Sequence, residues 1–187
     1  RTALYDEGGK EAETFDGTLS AEGAEKAAEF VNFCDAFSIP VLTLTNVTGY
    51  KATKCQEKRI AKAAAKLIYA FHDMTAPKVN VIVGAANGTA SLAMNNSADM
   101  TYAWPQATIG MMDPVSAAKI MYADDKDADL AEKAAQFAAQ SGTEAAAARG
   151  YVDSVIEPAS ARKQLLYAFE MLYNKCEYPI GKKHGTI

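Results

Sequence analysis

Basic residues are not in excess in this sequence, and no block of them stands out. The 187-residue chain carries 19 Lys and Arg against 23 Asp and Glu, a formal net charge of -4. Without a basic stripe there is no electrostatic footprint for nucleic acid. Histidine occurs twice and cysteine three times (Cys34, Cys55 and Cys176), far apart in the chain. No pair therefore stands at metal-ligand spacing, and no disulfide framework is suggested. An odd, dispersed set of cysteines suits a reducing compartment, so a cytoplasmic location is expected. Long apolar runs are missing too. Stretches such as Val79 to Val83 have the length of a strand, far below the roughly 20 apolar residues of a spanning helix. No signal peptide is evident, and the first residue is Arg1 rather than Met, which reads as a trimmed or excised segment. No internal repeat of about 20–50 residues is visible.

What is present is a core. Hydrophobic residues make up 49% and charged residues 22%, the balance of a globular domain. There are 37 alanines, many in runs such as Ala63-Ala64-Ala65, so helix should dominate. Arg1 to Tyr5 is expected as an edge strand and Asp6 to Thr18 as a charged loop. Ser20 is an N-cap with Glu22 in the first turn. From Ala24 to Phe37, residues Ala27, Phe30, Val31, Cys34 and Phe37 draw one apolar stripe at helical spacing. After Pro40 a β-rich run, Val41 to Thr45, ends in the turn Asn46 to Tyr50. A helix over Glu57 to His72 follows, then a strand, Val79 to Val83, entering the Gly-bearing turn Gly84 to Ala90. Met100 to Trp104 reads as a strand. Asp113-Pro114 is an N-cap and first-position proline for a helix to about Tyr122. Asp127 to Gln140 is a further helix closed by Gly142, and Tyr151 to Ile156 is a short strand. Pro158 opens a last helix through Tyr173, with Leu165, Leu166, Phe169 and Leu172 facing inward. Lys175 to Ile187 is a peripheral tail. Strands alternating with helices and no linker give one α/β domain.

Side-chain catalysts are hard to find. His72 lies beside Asp73 at a helix end, His184 is in the tail, and Cys34 sits on the apolar stripe as a packed thiol. The stretch from Gly84 lacks the spacing of a phosphate loop. Backbone chemistry remains. Two strands end in Gly-bearing turns, Asn46 to Tyr50 and Gly84 to Ala90, each followed by a helix. Unpaired amides at two such neighbouring turns can hold an oxyanion. The alternative is that these glycines only reverse the chain.

The same segments carry a resemblance. Phe33-Cys34-Asp35-Ala36-Phe37-Ser38-Ile39-Pro40 followed by Asn46-Val47-Thr48-Gly49-Tyr50 resembles the Phe-Cys-Asp-x-Phe-x-Ile-Pro and Asp-Val-Pro-Gly-Phe stretches of biotin-dependent acyl-CoA carboxyltransferases. Ala65 to Phe71, Pro77 to Ile82, and Tyr102-Ala103-Trp104-Pro105 are similar to later segments of that family. So are Arg149-Gly150-Tyr151-Val152-Asp153 and Ala161-Arg162. The resemblance runs over residues 24–174 and is to the C-terminal of the family's two halves. It implies a crotonase-like fold of stacked β-β-α units, one carboxyltransferase C-terminal domain over 1–187 with its core at 20–174.

The resemblance also implies transfer of a carboxyl group between carboxybiotin and an acyl-CoA (acetyl-, propionyl- or methylmalonyl-CoA), in the direction of a carboxylase or of a decarboxylase. Biotin would be carried on another domain or chain, since no Met-Lys-Met motif is present, and a coenzyme A thioester would be the substrate. The partners implied are an N-terminal carboxyltransferase half, a biotin carboxyl carrier protein, and a biotin carboxylase or a membrane decarboxylase subunit, within a homo-oligomer. The catalytic positions carried over are Gly88, Thr89, Ala90 and Tyr50, whose amides would hold negative charge on oxygen. Gly49, Asn46 and Asn87 would bind the cofactor. The family's Tyr-Gly-Gly-Ala-Tyr reads Asn87-Gly88-Thr89-Ala90-Ser91 here, so a Cβ stands where the second glycine would be. Lys51, Lys54, Lys58 and Lys62 form a basic strip, read as a solvated helix face, with attraction of carboxybiotin or a coenzyme A phosphate as the functional alternative. Met94 to Asp99 is a few residues shorter than in the family. Two other functions stay open: a non-catalytic assembly domain of the same fold, and a stand-alone crotonase-type hydratase or hydrolase.

Overall fold

The computed structural model describes residues 2–124 and 129–178, without the side chains of 2–4 and 12–15. A hairpin comes first, β1 (Thr2–Tyr5) against β2 (Glu11–Phe15), antiparallel. The expected loop from Asp6 to Thr18 is thus corrected. Its β2 residues alternate charge with small groups and give no apolar signal. The turn closes locally, because the Asp6 carboxylate accepts from the Gly8 and Lys10 amides at 3.0 and 2.8 Å and Gly9 takes a positive φ of 75°.

After the short strand β3 (Thr18–Leu19), helix α1 (Ala21–Ala36) begins at Ser20, whose side chain accepts from the Gly23 amide. The apolar stripe expected along it is rotated in the structure. Ala21, Ala24, Ala28, Val31 and Cys34 are buried, while Phe30 and Phe37 are 60% and 66% exposed. Small residues win the inner face because α1 packs directly on α3 (Ile60–Asp73), whose own inner face is Ala63, Leu67, Ala70 and Phe71.

Between these helices run β4 (Val41–Val47), β5 (Gly49–Tyr50) and the single turn α2 (Lys54–Glu57). The helix expected over Glu57 to His72 therefore starts later. Arg59 interrupts it by turning to α1, where its guanidinium meets Glu22 and Glu25 at 2.9 and 2.8 Å. Strand β6 (Lys78–Asn87) is longer than expected and runs through Gly84 to the start of α4 (Gly88–Ala93). The chain continues through β7 (Met100–Ala103), β8 (Thr108–Gly110), α5 (Pro114–Met121), α6 (Leu130–Gln140), α7 (Thr143–Ala148), β9 (Ser154–Val155) and α8 (Pro158–Met171). Asp113 caps α5 by accepting from the Ser116 amide. The expected helix start at Asp127 lies outside the described residues, and Asp129 caps α6. Gly142 is the N-cap of α7, an element without a signal in a run of four alanines. Only Ser154 and Val155 of the expected strand Tyr151 to Ile156 pair with a neighbour.

The main sheet has parallel order β4-β6-β7-β9, and β8 pairs with the second half of β6. Strand β6 thus pairs with two strands along the same edge: residues 79–82 pair β7, and Ala85–Asn87 pair β8. This is the stacked strand-strand-helix build of a crotonase-like fold. Val79, Val81 and Tyr102 pack under α8, whose Leu165, Phe169 and Leu172 lie against them. Leu166, expected inward, is 60% exposed, since it falls on the far side of α8. The expected tail is tied down at its start, where Lys175 pairs with Asp99 at 2.8 Å; residues 179–187, His184 among them, lie outside the described set.

Candidate functional site

The two strand-end turns do come together, because β4 and β6 are adjacent and parallel, with Val41 opposite Lys78 and Thr45 opposite Ile82. Beyond that point the register slips, so that Val47 lies opposite Ala86 and β6 holds two extra residues. Gly84 sits in this bulge. A Cβ there would lie 2.4 Å from Asn46 Oδ1, and only glycine admits that approach. Asn46 Oδ1 accepts from the Ala85 amide at 3.0 Å and so ties the β4 end to the bulge.

A second tie joins the turns further out. Tyr50 Oη donates to the Thr89 carbonyl at 3.1 Å. The peptide that presents this carbonyl is the one whose N–H belongs to Ala90, and a trans peptide directs N–H and C=O oppositely. Gly49 lies in β5, paired with Thr18, with open space where a Cβ would stand. Asn87 is the last residue of β6 and precedes α4 without a side-chain capping bond. Gly88 turns the chain with a positive φ of 61°, and a Cβ on it would lie 3.0 Å from the Met111 carbonyl. Ala90 is buried.

A cavity of about 810 Å3 opens beside this turn. Of the residues named from sequence, Gly88 and Thr89 line it, whereas Asn46, Gly49, Tyr50, Asn87 and Ala90 do not. The wall is mainly apolar, with Ile82 and Ala86 of β6, Ile109 of β8, Met111, and Ile120 and Met121 of α5. Phe137 of α6 closes it from the far side. Sequence reasoning missed this helical side, since α5 and α6 carry no motif. It also missed the cavity's polar residues Thr45, Asn80 and Asn96. Asn80 had a readable signal, a polar residue inside the run Val79 to Val83. At the rim, Arg149 is held by the Gln140 carbonyl at 3.1 Å, and Asp153 accepts from the Thr101 amide at 2.7 Å.

Burial and the nearby Lys175 pull the Lys78 ammonium below the usual lysine range, and burial followed by Asp153 pushes the Tyr102 phenol up. Among the described residues no three His, Cys, Asp or Glu gather as a metal site. No described helix is long and apolar enough to cross a membrane. The Gly88 turn and the mainly apolar wall offer backbone dipoles, neutral amides and exclusion of water.

The chain is 42% identical over 182 residues to a putative propionyl-CoA carboxylase beta chain of Bacillus subtilis, covering 91% of this chain and 36% of that one. It is 41% identical over 182 residues to the methylmalonyl-CoA carboxyltransferase 12S subunit of Propionibacterium freudenreichii subsp. shermanii, covering 91% of this chain and 35% of the other. Among solved structures it matches a transcarboxylase 12S hexamer with methylmalonyl-coenzyme A and methylmalonic acid bound. That match has a TM-score of 0.86 and 41% identity, covering 90% of this chain and 34% of that one. The chain thus spans about a third of the length of the relatives it matches. The carboxyl transferase domain model matches residues 9–187, and the chain belongs to the carboxyl transferase domain family.

Proposed function

We propose that this chain supplies the biotin-receiving half of a carboxyltransferase site, acting between carboxybiotin and an acyl-CoA of the acetyl, propionyl or methylmalonyl class. The observation that carries the reading is the likeness, at a TM-score of 0.86 over 90% of the chain, to a subunit solved with methylmalonyl-coenzyme A bound. The site's own geometry fits a flat, neutral ring. Gly88 leaves a gap before the Met111 carbonyl that a Cβ would fill, the surrounding wall is apolar, and Thr89 lies at the mouth. Carboxybiotin, borne on a partner chain, would supply the activated carboxyl group when bound.

The chain's own residues then bind, orient and exclude water. The amides of Thr89 and Ala90 hold negative charge that develops on a ligand oxygen, and removing one such donor costs about a hundred- to a thousandfold in rate. Tyr50 is a positioning residue. Its hydroxyl fixes the Thr89–Ala90 peptide and draws electron density toward the Thr89 carbonyl. Asn46 keeps the bulge in place through the Ala85 amide, and Gly49 and Asn87 flank the two turns as the residues that would contact the cofactor. The coenzyme A site would come from an N-terminal half. A biotin carrier and a biotin carboxylase or membrane decarboxylase subunit would complete the assembly, with this chain in a homo-oligomer.

The test is complementation. This chain alone is expected to show no carboxyl transfer, and transfer should appear when an N-terminal carboxyltransferase half and a biotinylated carrier are added. Robust decarboxylation of malonyl- or methylmalonyl-CoA by the chain alone overturns the division of labour. One observation favours a second reading, an assembly domain without activity. Thr89 is exposed at the mouth, where its side chain narrows the approach to Gly88. Calorimetric titration with free biotin separates the two, with heat of binding expected for the first and none for the second.

A further inference from the structure

The lysines that begin at the Tyr50 turn make no ion pair with the rest of the fold. Lys54, Lys58 and Lys62 recur at intervals of four residues across α2 and the start of α3, Lys51 precedes them, and all four are exposed. None of the four is ion-paired among the described residues. Their neighbour Arg59 has taken the carboxylates at hand, Glu22 and Glu25. Lys51 acts on Asp16 and Glu22 only at longer range, behind the hydrogen bonds from Thr18 and Gln56 that chiefly lower those carboxyl pKa values. Within the strip itself the only carboxylate is Glu57. Helix α3 has no acidic residue in its first turn, where the dipole favours one, and Lys58, Arg59 and Lys62 stand at that end instead. The charges therefore cost the fold stability, and folding does not explain them.

The strip adjoins the cavity mouth without lining it. Tyr50 meets the Thr89 carbonyl at the mouth, and Lys51 is the next residue. The Lys51 amide donates to the Leu19 carbonyl at 3.0 Å and Thr53 caps α2, so the start of the strip is fixed beside the turn. Helix α3 packs on α4, the helix that Gly88 and Thr89 open, with Ala93 in one cluster with Ala63 and Leu67. The α5 side of the cavity is different, with Met111, Ile120 and Met121 exposed and apolar. A biotin ring entering beside Gly88 and Thr89 arrives on a carrier, which must stand over the mouth within reach of one biotinyl-lysine side chain. Charge of one sign beside an entrance attracts a protein of the opposite sign and speeds its association.

We propose that Lys51, Lys54, Lys58 and Lys62 form the docking surface for the biotin carrier, and that the carrier is acidic around its biotinyl lysine. The inference rests on the proposed function only in taking biotin to arrive at this mouth on a partner domain. It goes beyond that reading in naming the surface on which the partner lands and the charge the partner bears. The strip acts on the carrier protein, and the cavity holds the ring.

The test uses the full chain and the biotin carrier domain of an acyl-CoA carboxylase, biotinylated and unbiotinylated, with association followed by surface plasmon resonance. Both forms are expected to associate, since the strip reads the carrier's surface and not the ring. Association should slow about tenfold as ionic strength rises from about 0.01 to about 0.15 M, where the screening length falls from about 30 to about 8 Å. The variant K54E/K58E leaves Lys51 beside Asp16 and Glu22. Its association at low salt should be about tenfold slower than the parent's and should lose most of its salt dependence. R162E/K163E makes the same change of net charge on α8, which packs on the other face of the main sheet, and should associate as the parent does. Free biotin should bind parent and K54E/K58E alike, and the variant should unfold at no lower urea concentration than the parent, because a carboxylate at the start of α3 suits the dipole. Equal association of K54E/K58E and parent, an equal loss in R162E/K163E, or no salt-dependent association of either carrier form each overturns the proposal. So does a K54E/K58E variant that keeps the carrier but loses coenzyme A, titrated alone, which would assign the strip to that ligand's phosphates. Absence of carboxyl transfer in the complementation assay, with docking intact, would instead overturn the proposed function.

Discussion

Gly84 shows how one residue decides the meeting of two strands. A Cβ there would stand 2.4 Å from Asn46 Oδ1, so Gly84→Ala must push Asn46 away and break its bond to the Ala85 amide. The expected loss is about 1–3 kcal/mol, read from urea unfolding. Asn46→Ala relieves the crowding but leaves the Ala85 amide unpaired, at a cost of about the same size. The double variant should therefore lose clearly less than the sum of the two, and an additive result would mean that the contact is not shared. Lys78 makes a second case at this scale. Its ammonium is buried and donates to the carbonyls of Phe71 and Met74 at the end of α3, with Lys175 nearby as a like charge and Asp99, Glu177 and Asp35 opposed to it. Burial first, and Lys175 second, lowers its pKa in the fold below the ordinary lysine value of about 10.4. Between the lowered value and the ordinary one the unfolded chain binds the extra proton, so the contribution of Lys78 to stability rises with pH across that window. Unfolding midpoints measured from neutral to alkaline pH should climb more, or fall less, in the parent than in Lys78→Met. Equal slopes would show that Lys78 titrates normally.

At the scale of elements, capping was readable and packing faces were not. Ser20 and Asp113 are both N-caps in the structure, because a side-chain acceptor three residues before a free amide is a local arrangement. Asp113→Ala is expected to cost about 1 kcal/mol. Because α5 forms one side of the cavity, the same change should loosen that wall; faster hydrogen exchange over Pro114 to Met121 would show it, and unchanged exchange would contradict it. The face of α1 was read wrongly for a physical reason. Hydrophobicity places Phe30 and Phe37 inside, but two alanine-rich helices bury their smallest residues to come close, and the rings are left outside, with those of Phe33 and Phe37 tilted by 45° at a centroid distance of 4.8 Å. The bulge in β6 was equally invisible. Gly84 signals a turn in sequence, and only the neighbour strand reveals it as a point of close approach.

For the whole molecule, the exposed apolar residues are the main feature. Phe30, Phe33 and Phe37 on α1, Leu42 and Leu44 on β4, and Ile120 and Met121 on α5 are all open to solvent. Large exposed apolar surface commonly marks an interface. The chain is expected to form dimers or larger assemblies at micromolar concentration. Light scattering that finds a single species of 20.0 kDa across that range would count against it.

The sequence by itself determined the class and most of the elements. Alternating strand and helix periods, caps and the motif segments from Phe33 to Arg162 are local properties, and they persist whatever the chain packs against. They also determined which turns meet, since two consecutive parallel strands joined by a helix are usually neighbours. The tertiary structure alone decided how the site is built. The cavity is walled by α5 and α6, which have no motif. Tyr50 reaches Thr89 from 39 residues away, and Thr45 holds Asn80 across two strands, 35 residues apart. The reason is that a hydrogen bond between distant residues depends on where the strands put them, to within a few tenths of an ångström, and periodicity carries no information on that scale.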